Sequence, residues 1–413
     1  KYPDQYEHIR TYFSSVSFST GSKIKFNTNA YWRRNLDRFE LFREDKNWYE
    51  KQGELYINQT DTAGFPTPNG LYPYKGHNYH RTDIIGADAT VRFNTILGSS
   101  SLSIGLKSEQ IVSNVLGEPI KDTIFIGGSD GYYNKSKTRN NANFSINQFY
   151  SIDKLSASVG LLAFYSDDFG VHISPGIDLG YFVTNSIKVY ASANHAIRLP
   201  SFTDLYYQGP TNNSNPNLKP ETSISSEVGI KYFNNDFNAS LSSYYRMGNS
   251  VIDWIKYSPE EKWQSANLSS LNTYGVSFSA NKQFDRGLIN YAGIKYSWLN
   301  SEKNNNDIIS LYALDFLKHN VNLFVSHSII KNLKASWTTT LQKRNGSYVD
   351  YSTGIETPYA TVFLLNLKLL YVLQNIEFSI SGSNLLNKKY YDIGNVKQPG
   401  LWIIGGLKIK FDR

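Results

Sequence analysis

The feature of this sequence that most constrains its fold is a long series of segments in which apolar and polar residues alternate. At 155–161, for example, Leu155, Ala157, Val159 and Leu161 are separated by serine and glycine. A period of two places one set of side chains on each face of a β-strand. About 17 segments show this period, most of them roughly 10 to 20 residues long, whereas helical periodicity is scarce. We therefore predict an all-β chain of long strands without a long helix.

The connections between these strands fall into two classes that alternate along the chain. The tight turns are Thr20-Gly21-Ser22, Gly98-Ser99-Ser100, Asp153-Lys154, Asn185-Ser186, Asn235-Asp236, Asp285-Arg286-Gly287, Lys331-Asn332 and Gln374-Asn375. The other class is mostly long and irregular and includes 43–81, 117–137, 201–221 and 390–398. Short turns at one end of the strands and long loops at the other are typical of outer-membrane barrels. We predict a transmembrane, antiparallel, up-and-down β-barrel.

Composition is compatible with this interpretation. The mean hydropathy of −0.42 and the lack of an apolar run of about 18 residues argue against membrane-spanning helices. A hydropathy test of this kind does not detect barrel strands, because only alternate residues of such a strand face lipid. The net charge is +7, but the basic residues are scattered, which disfavours a nucleic-acid partner and suits an anionic membrane surface. The absence of cysteine excludes disulfides, thiolate metal sites and thiol nucleophiles.

The two ends of the chain lead to a further expectation. The last predicted strand, Leu401 to Phe411, follows a long loop, and the first, near Tyr12 to Ser19, leads into a short turn. Both run from the long-loop end to the short-turn end, so the strand count is odd, whereas complete bacterial barrels have an even count. Lys1-Tyr2-Pro3-Asp4 also lacks the apolar region of a signal peptide. We expect residues 1–413 to be the C-terminal part of a larger polypeptide.

Two sequence motifs resemble those of the TonB-dependent outer-membrane receptors. The first is R-L-P-S-F-T-D-L-Y at 198–206, followed by N-P-N-L-K-P-E at 215–221 and E-V-G at 227–229. The second is N-L-L-N-K-K-Y at 384–390, followed by Pro399-Gly400 and a final strand that closes on Phe411. In this chain Asp412 and Arg413 follow that phenylalanine, which departs from the family's ending. The matching positions are Arg198, Pro200, Phe202, Leu205, Tyr206, Asn215, Pro216, Leu218, Pro220, Glu221, Glu227, Gly229, Asn384, Leu385, Tyr390, Pro399, Gly400 and Phe411.

The resemblance implies a barrel of about 22 strands that is closed by an N-terminal plug domain. On that basis the first strands, the plug and the TonB-contacting segment would lie outside this chain. The family imports a scarce, large nutrient, which external loops capture before TonB drives rearrangement of the plug. The implied partners are the TonB complex, the lipid and lipopolysaccharide of the bacterial outer membrane, and the nutrient. A surface-exposed lipoprotein that hands over the nutrient is a further candidate partner.

Within the family, the chain looks most similar to the cobalamin (vitamin B12) receptor branch. A ferric siderophore or haem receptor is the alternative, and a passive porin is a third interpretation. A bulky corrinoid would need aromatic and polar loop residues, and tyrosine offers contact area and a hydrogen bond at low entropic cost. The candidate loop residues are Tyr72, Tyr74, Tyr79, Tyr132, Tyr133, Tyr206, Tyr207, Trp254 and Trp263.

The first motif has a structural interpretation of its own. Prolines at 200, 216 and 220 fix φ where the loop begins and ends, which lowers the entropy of the loop. Glu221 and Glu227 could pair with Arg198 inside the barrel. We interpret the motif as a brace that orders a loop. Specificity for one ligand is expected to lie in other loops.

Enzyme and metal sites find little support in the sequence. His77 and His80 could approach one metal, but a third ligand is not evident, so we favour a solvent-exposed pair of loop histidines. Asp167-Asp168 and Glu260-Glu261 could hold Ca²⁺ in extracellular loops, although the spacing matches no EF-hand. The sequence shows neither a nucleophile elbow nor a nucleotide-binding loop. We predict a receptor that is not an enzyme and has no cofactor.

Overall fold

The computed structural model describes residues 5–43, 48–67, 70–96, 98–127, 131–258, 260–303, 308–311, 315–349, 355–392 and 396–411. The elements in chain order are β1 (Tyr6–Thr20), β2 (Ile24–Glu40), β3 (Glu50–Gln52), β4 (Leu55–Ile57), β5 (Gly64–Thr67), β6 (Gly70–Pro73), β7 (Asn78–Thr95), β8 (Gly98–Ser113), β9 (Glu118–Phe125), β10 (Tyr132–Ile152), β11 (Leu155–Ser166), β12 (Gly170–Phe182), β13 (Ile187–Arg198), α1 (Phe202–Tyr206), β14 (Asn212–Asn213), β15 (Glu221–Phe233), β16 (Phe237–Lys256), β17 (Trp263–Gln283), β18 (Ile289–Lys303), β19 (Ile309–Ser310), β20 (Leu317–Ile330), β21 (Leu333–Arg344), β22 (Ser347–Val349), β23 (Glu356–Pro358), β24 (Val362–Leu373), β25 (Ile376–Ser383), β26 (Tyr391–Asp392), β27 (Val396–Lys397) and β28 (Trp402–Ile409).

Within these ranges, the long strands form one antiparallel ladder in which each pairs with the next long strand along the chain. The order is β1, β2, β7, β8, β10, β11, β12, β13, β15, β16, β17, β18, β20, β21, β24, β25 and β28. The prediction of an all-β, up-and-down arrangement of long strands is confirmed. The alternating pattern could reveal it because each strand must present one polar and one apolar face.

Tight connections occur at one end of the ladder, as predicted. Asp153, Asn332 and Gln374 adopt positive φ of 46°, 72° and 49° within two-residue turns, the geometry that matches the twist of the flanking strands. The predicted turn at 98–100 lies slightly earlier, because β8 already begins at Gly98. The first strand is longer than predicted, beginning at Tyr6, and the last is shorter, ending at Ile409.

The opposite end of the ladder carries the long connections, and several contain small elements of their own. Residues 41–77 hold the hairpins β3–β4 and β5–β6, and residues 199–220 hold α1 and β14. One connection at this end is short: Asp167, Asp168 and Phe169 alone join β11 to β12. We call this end of the sheet the loop end.

The two faces of the sheet differ in polarity. Large apolar side chains such as Val16, Ile85 and Leu106 are well exposed on one face, which we call the outer face. The other, inner face carries hydrogen-bonded polar side chains; for example, Ser17 donates to Asn29 across β1 and β2. The described part of the chain includes no helix that is both long enough and apolar enough to cross a membrane.

Buried apolar residues form several small clusters, and most of them lie in the long connections. One joins Leu41, Phe42, Tyr56, Ala63 and Tyr74 within the first long connection. Another joins Leu205 and Leu218 of the connection after β13 to Ile252 of β16. The long connections are therefore folded pieces with their own packing, which fixes the position of the side chains that line the loop end.

Candidate ligand-binding site

A cavity of about 630 Å³ lies on the inner face beside α1, and its size falls in the usual range of small-molecule sites. Its walls come from β2, β7, β8, β10, β11 and the segment 199–203. The segment is held there by its own chemistry. Ser201 caps α1 by accepting from the Asp204 backbone N–H at 3.1 Å, while Asp204 accepts from the Ser201 backbone N–H at 3.0 Å.

Arg139 of β10 is the most heavily engaged polar side chain of this cavity. The residue is 5% exposed, and its Nη1 donates to the Pro200 carbonyl oxygen at 3.0 Å. Its Nε donates to Asp168 Oδ2 at 3.3 Å, and its guanidinium lies 5.2 Å from the Phe169 ring centroid and 4.8 Å from that of Phe202. Arg139 thus connects β10, the short β11–β12 connection and α1 in one contact network.

Two buried polar atoms beside this cavity have no hydrogen-bond partner among the described residues. They are Nη2 of Arg139 and Oδ1 of Asn141, two positions further along the same face of β10. One atom is a donor and the other an acceptor. A buried polar group without a partner costs about 1–3 kcal/mol. The pair therefore marks a polar part of the cavity wall whose hydrogen-bonding capacity the described residues do not use.

The connection after β13 is braced by a buried carboxylate. Glu221 is 7% exposed and accepts from Arg198 Nη2 at 2.9 Å and from Arg246 Nη2 at 3.2 Å. The backbone N–H of Ile252 also donates to Glu221, at 3.1 Å. Of the two glutamates considered as partners of Arg198, Glu227 contacts another residue: its Oε1 accepts from the Tyr190 hydroxyl at 2.7 Å.

The remaining residues of the first motif pack the same connection. Pro200 is fully buried, and Phe202 packs with Ile111 and Leu116. Asn215 receives the backbone N–H of Asn217 on its side chain, a local turn. Leu205 and Leu218 are buried together with Ile252, and the Tyr206 hydroxyl donates to Glu118. Pro216 is exposed and Pro220 is half-buried. Gly229 lies beneath the Tyr190 ring.

The C-terminal motif orders the last long connection. Asn384 is buried at positive φ, donates through Nδ2 to the carbonyl oxygens of Lys388 and Pro399 at 2.9 and 3.2 Å, and accepts from the Lys388 N–H. Asn387 accepts from the Leu401 N–H at 3.0 Å and lies where a side chain on Gly400 would be. Leu385 packs against Gly382. Tyr390 is half-buried, and its carbonyl oxygen accepts from the Gln398 backbone N–H. Phe411 is exposed.

The aromatic loop residues that the sequence singles out separate into two groups. Tyr74, Tyr79, Tyr133 and Trp254 are buried within loop-end packing and present little surface to a ligand. Tyr72, Tyr132, Tyr206, Tyr207 and Trp263 are exposed or half-buried. The difference arises because the long connections form small cores, which sequence patterning within a loop does not reveal.

Two of the accessible aromatic residues, Tyr72 and Tyr207, are close enough to interact, and a third, Trp263, directly follows the lysine that contacts Tyr72. Lys262 lies 5.4 Å from the ring centroid of Tyr72 and donates to the Gly209 carbonyl at 3.2 Å. Trp263 donates its backbone N–H to Thr211 at 2.8 Å. Burial raises the pKa of Tyr207, with a smaller effect from the neighbouring Tyr72. We call Tyr72, Tyr207 and Trp263 the aromatic rim.

The prediction that His77 and His80 form a solvent-exposed pair is wrong. His77 is buried in the aromatic cluster around Phe42, where its Nδ1 lies 2.5 Å from the Tyr74 hydroxyl. Burial, with smaller effects from Arg38 and Lys51, lowers the pKa of His77 to about 4. His80, on β7, instead contacts Ser113 at 2.8 Å. The two imidazoles serve separate packing contacts.

Three of the four candidate Ca²⁺ carboxylates, those of Asp167, Asp168 and Glu261, already have protein partners. Asp167 accepts from the backbone and side chain of Asn140, and Asp168 pairs with Arg139. Glu261 accepts from the Tyr257 backbone N–H, and Glu260 is exposed. Over the residues that the structure describes, no group of three or more His, Asp or Glu side chains is arranged to hold a metal.

Sequence reasoning missed Arg139, Asn141 and Arg344. Arg344, at the end of β21, pairs with Asp315 at 2.8 Å and also with Asp392. The Tyr359 hydroxyl donates to the same Asp315. Because Asp315, Tyr359 and Asp392 lie in three different long connections, Arg344 links all three. The only available signal was an arginine at an inner position near the loop end of a strand. That signal does not identify the residues that the arginine contacts, because they lie far away in sequence.

Comparison with known proteins gives three related findings. A family model described as "TonB dependent receptor-like, beta-barrel" matches residues 1–385. The vitamin B12 transporter BtuB of Vibrio vulnificus is 28% identical over 165 residues, which cover 40% of this chain and 26% of that protein. The vitamin B12 transporter BtuB of Photobacterium profundum is 23% identical over 229 residues, which cover 52% of this chain and 36% of that protein.

The fold is also similar to solved structures. A crystal structure of the ferric enterobactin receptor PfeA from Pseudomonas aeruginosa superposes with a TM-score of 0.73 at 16% sequence identity, covering 98% of this chain and 63% of that one. At this identity the likeness concerns the fold. In all three proteins the matched region spans less than two thirds of the protein's length.

Proposed function

Because this chain belongs to the TonB-dependent receptor β-barrel family, we propose that it forms the barrel of an active importer of cobalamin. The family is one of outer-membrane receptors and transporters, and the chain is an outer-membrane β-barrel. In the proposed cycle, the loop end captures the nutrient outside the cell. TonB then supplies the energy that admits the nutrient to the barrel, and no covalent bond is made or broken.

The observation that carries the substrate proposal is the sequence similarity to two vitamin B12 transporters. The chemistry of the inner-face cavity supports it. The periphery of cobalamin bears amide groups, each with a carbonyl acceptor and an N–H donor, and it also bears a phosphate. Arg139 Nη2 would donate to such a carbonyl or phosphate oxygen, and Asn141 Oδ1 would accept from an amide N–H. The aromatic rim would offer apolar contact area to the corrin ring.

The proposed order of contacts follows the geometry. The aromatic rim lies on the long connections, so it would meet the nutrient first, and the cavity beside Arg139 lies on the inner face beside α1. The brace of Arg198 and Glu221 holds the connection between them and does not need to touch the nutrient. Ca²⁺ in the loops and a partner lipoprotein remain predictions.

Uptake of labelled cyanocobalamin into cells tests this proposal. The host would lack its own cobalamin receptor and would carry the full-length gene of this protein. We expect saturable uptake that is lost in an otherwise identical host without TonB. Uptake that persists without TonB would indicate a passive channel. Uptake of a ferric siderophore but not of cyanocobalamin would replace the substrate class while leaving the family function intact.

A further inference from the structure

The first long connection, residues 41–77, packs around one buried imidazole. His77 is 2% exposed and lies directly before β7, where the chain rejoins the ladder. Its ring centroid is 5.4 Å from that of Phe42, 5.7 Å from that of Tyr56 and 5.5 Å from that of Tyr74. We call these four residues the histidine cluster. Because Tyr56 lies on β4 and Tyr74 directly follows β6, the cluster joins both hairpins of the connection.

The hydrogen bonds of the histidine cluster suit an uncharged imidazole. Nδ1 of His77 lies 2.5 Å from the Tyr74 hydroxyl, and that hydroxyl oxygen accepts from the Leu41 backbone N–H at 3.3 Å. With Nδ1 as the acceptor, the hydroxyl donates to His77 and accepts from Leu41. Both ring nitrogens of a charged imidazole are donors, so a proton on Nδ1 removes the acceptor that His77 offers to Tyr74. Protonation therefore costs the cluster a buried hydrogen bond.

The groups around the cluster also oppose a positive charge on His77. Burial has the largest effect in lowering the pKa of His77, followed by Arg38 of β2 and Lys51 of β3. Glu40 of β2 is already paired with Arg38. The other charged or titratable groups near the cluster or in the recess beside it, among the described residues, are Tyr49, Tyr56, Tyr74, Tyr79, Asp37, His80, and the exposed pair of Lys75 and Glu54.

Tyr74 also fixes the position of the accessible Tyr72. The two are separated by one residue, and Tyr72 lies on β6. The Tyr74 backbone N–H donates to the Ala63 carbonyl at 2.8 Å, so the backbone and the side chain of Tyr74 both tie β6 to the body of the connection. Tyr72 in turn is close to Tyr207, and its ring centroid lies 5.4 Å from Lys262. The histidine cluster therefore determines where Tyr72 lies at the aromatic rim.

We propose that the histidine cluster is an acid-sensitive switch, which keeps Tyr72 at the aromatic rim while His77 is neutral and releases it when His77 is protonated. Nutrient capture at the rim then weakens in acid. This second step rests on the proposed function, whereas the release of Tyr72 does not. The two steps are therefore measured separately.

The direction of the switch follows from linkage. The closed cluster disfavours the proton, so the open form binds the proton more tightly, and a lower pH shifts the population toward the open form. The change stays within the connection, because the buried apolar residues that pack with Phe42 all lie between Leu41 and Tyr74. The start of β7 stays in place, since Asn114 Nδ2 donates to the His77 carbonyl oxygen at 2.7 Å.

The first measurement is the distance between two spin labels in the full-length receptor, obtained by pulsed electron resonance. The labels replace Leu71, which is exposed beside Tyr72 on β6, and Asn213, which is exposed in the connection that carries Tyr207. Residues 1–413 contain no cysteine, so Leu71→Cys and Asn213→Cys add the only thiols of this region. We expect one narrow distance distribution at about pH 7.5 and a broad one that extends to longer distances at about pH 4.5.

The second measurement is the dissociation constant for cyanocobalamin at the same two pH values. We expect it to rise about tenfold on acidification, because the rim loses Tyr72 in the open form. His77→Gln keeps an acceptor for the Tyr74 hydroxyl and does not titrate, so the distance and the affinity should both become independent of pH. The matched control is His80→Gln, because His80 contacts Ser113 and lies outside the cluster. This control should keep both pH dependences.

A milder variant tests the switch without altering the cluster. Lys51→Gln removes an exposed cation that opposes protonation of His77, so the distance change should occur at a higher pH than in the wild type. A distance that does not depend on pH in the wild type would overturn the proposal. So would loss of the pH dependence in His80→Gln with its retention in His77→Gln.

The two measurements also separate the switch from the proposed function. A distance that changes with pH while the affinity for cyanocobalamin stays constant would overturn the control of capture. A distance that changes as expected in a receptor that does not bind cyanocobalamin at neutral pH would support the switch and contradict the proposed substrate.

Discussion

The guanidinium of Arg198 and the carboxylate of Glu221 meet across the two strands that flank a long connection, with Nη2 2.9 Å from Oε2. The two residues are directly opposite in the β13–β15 register, so the pair closes the connection at its base. Glu221 also receives Arg246 and the Ile252 backbone N–H. One carboxylate therefore fixes three strands and the connection that carries α1.

Replacing Glu221 by glutamine should loosen this connection locally. Both arginines are about half exposed, at 48% and 45%, so solvent already weakens the ion pairs, and we expect a local cost of about 1–2 kcal/mol. Amide hydrogen exchange at 199–220 should accelerate about tenfold. Glu227→Gln, on the same strand but bonded to Tyr190, should leave exchange there unchanged. Equal protection of 199–220 in the wild type and in Glu221→Gln would show that Glu221 does not brace this connection.

Replacing Arg344 by glutamine should release three long connections together. The side chain is 8% exposed and separates the carboxylates of Asp315 and Asp392. Without the guanidinium these like charges remain close, and we expect a cost of about 2–4 kcal/mol. Limited proteolysis should then cut all three connections faster. Lys334→Gln, at the opposite end of β21, serves as the control, and acceleration confined to one connection would contradict the shared role.

Acidification should loosen the first long connection through His77. Its pKa is about 4 in the folded state and about 6.5 when unfolded, so the unfolded segment binds the proton first. Stability is present above the unfolded pKa, falls as the pH drops from about 6.5 to 4, and changes little below that. Exchange at 41–77, corrected for intrinsic rates, should increase over this window by an amount equivalent to about 3 kcal/mol. His77→Gln should lose this pH dependence, and an unchanged dependence would assign it to another group.

A methyl group at Gly229 should destabilise the middle of the sheet. A Cβ there would lie 2.6 Å from the Tyr190 ring, so the ring would have to move and its hydrogen bond to Glu227 would be strained. We expect Gly229→Ala to cost about 1–3 kcal/mol. The measurement is the temperature at which the folded barrel loses its fast migration in detergent gels. Gly405→Ala is the control because a Cβ at Gly405 meets no atom within 4 Å. Equal temperatures for the two variants would contradict the close packing.

Alternating polarity predicted the ladder because each strand of a membrane barrel contacts lipid with one face and a polar interior with the other. The site was less accessible from sequence. Arg139 meets Pro200 across 61 positions, and Arg344 meets Asp392 across 48, so no local pattern links them. The aromatic candidates show the same limit. Tyr74 and Trp254 pack into loop cores, whereas Tyr72 remains accessible, because tertiary contacts among the long connections decide exposure.

The most direct test of the central claim is titration of the purified, full-length receptor with cyanocobalamin, in parallel with ferric enterobactin. We predict saturable, one-to-one binding of cyanocobalamin. Arg139→Met with Asn141→Leu, which removes the two unpartnered polar atoms of the cavity, should weaken that binding by about tenfold or more. Ferric enterobactin should not compete. Failure of the folded wild-type receptor to bind cyanocobalamin, with saturable binding of the ferric siderophore in its place, would contradict the account.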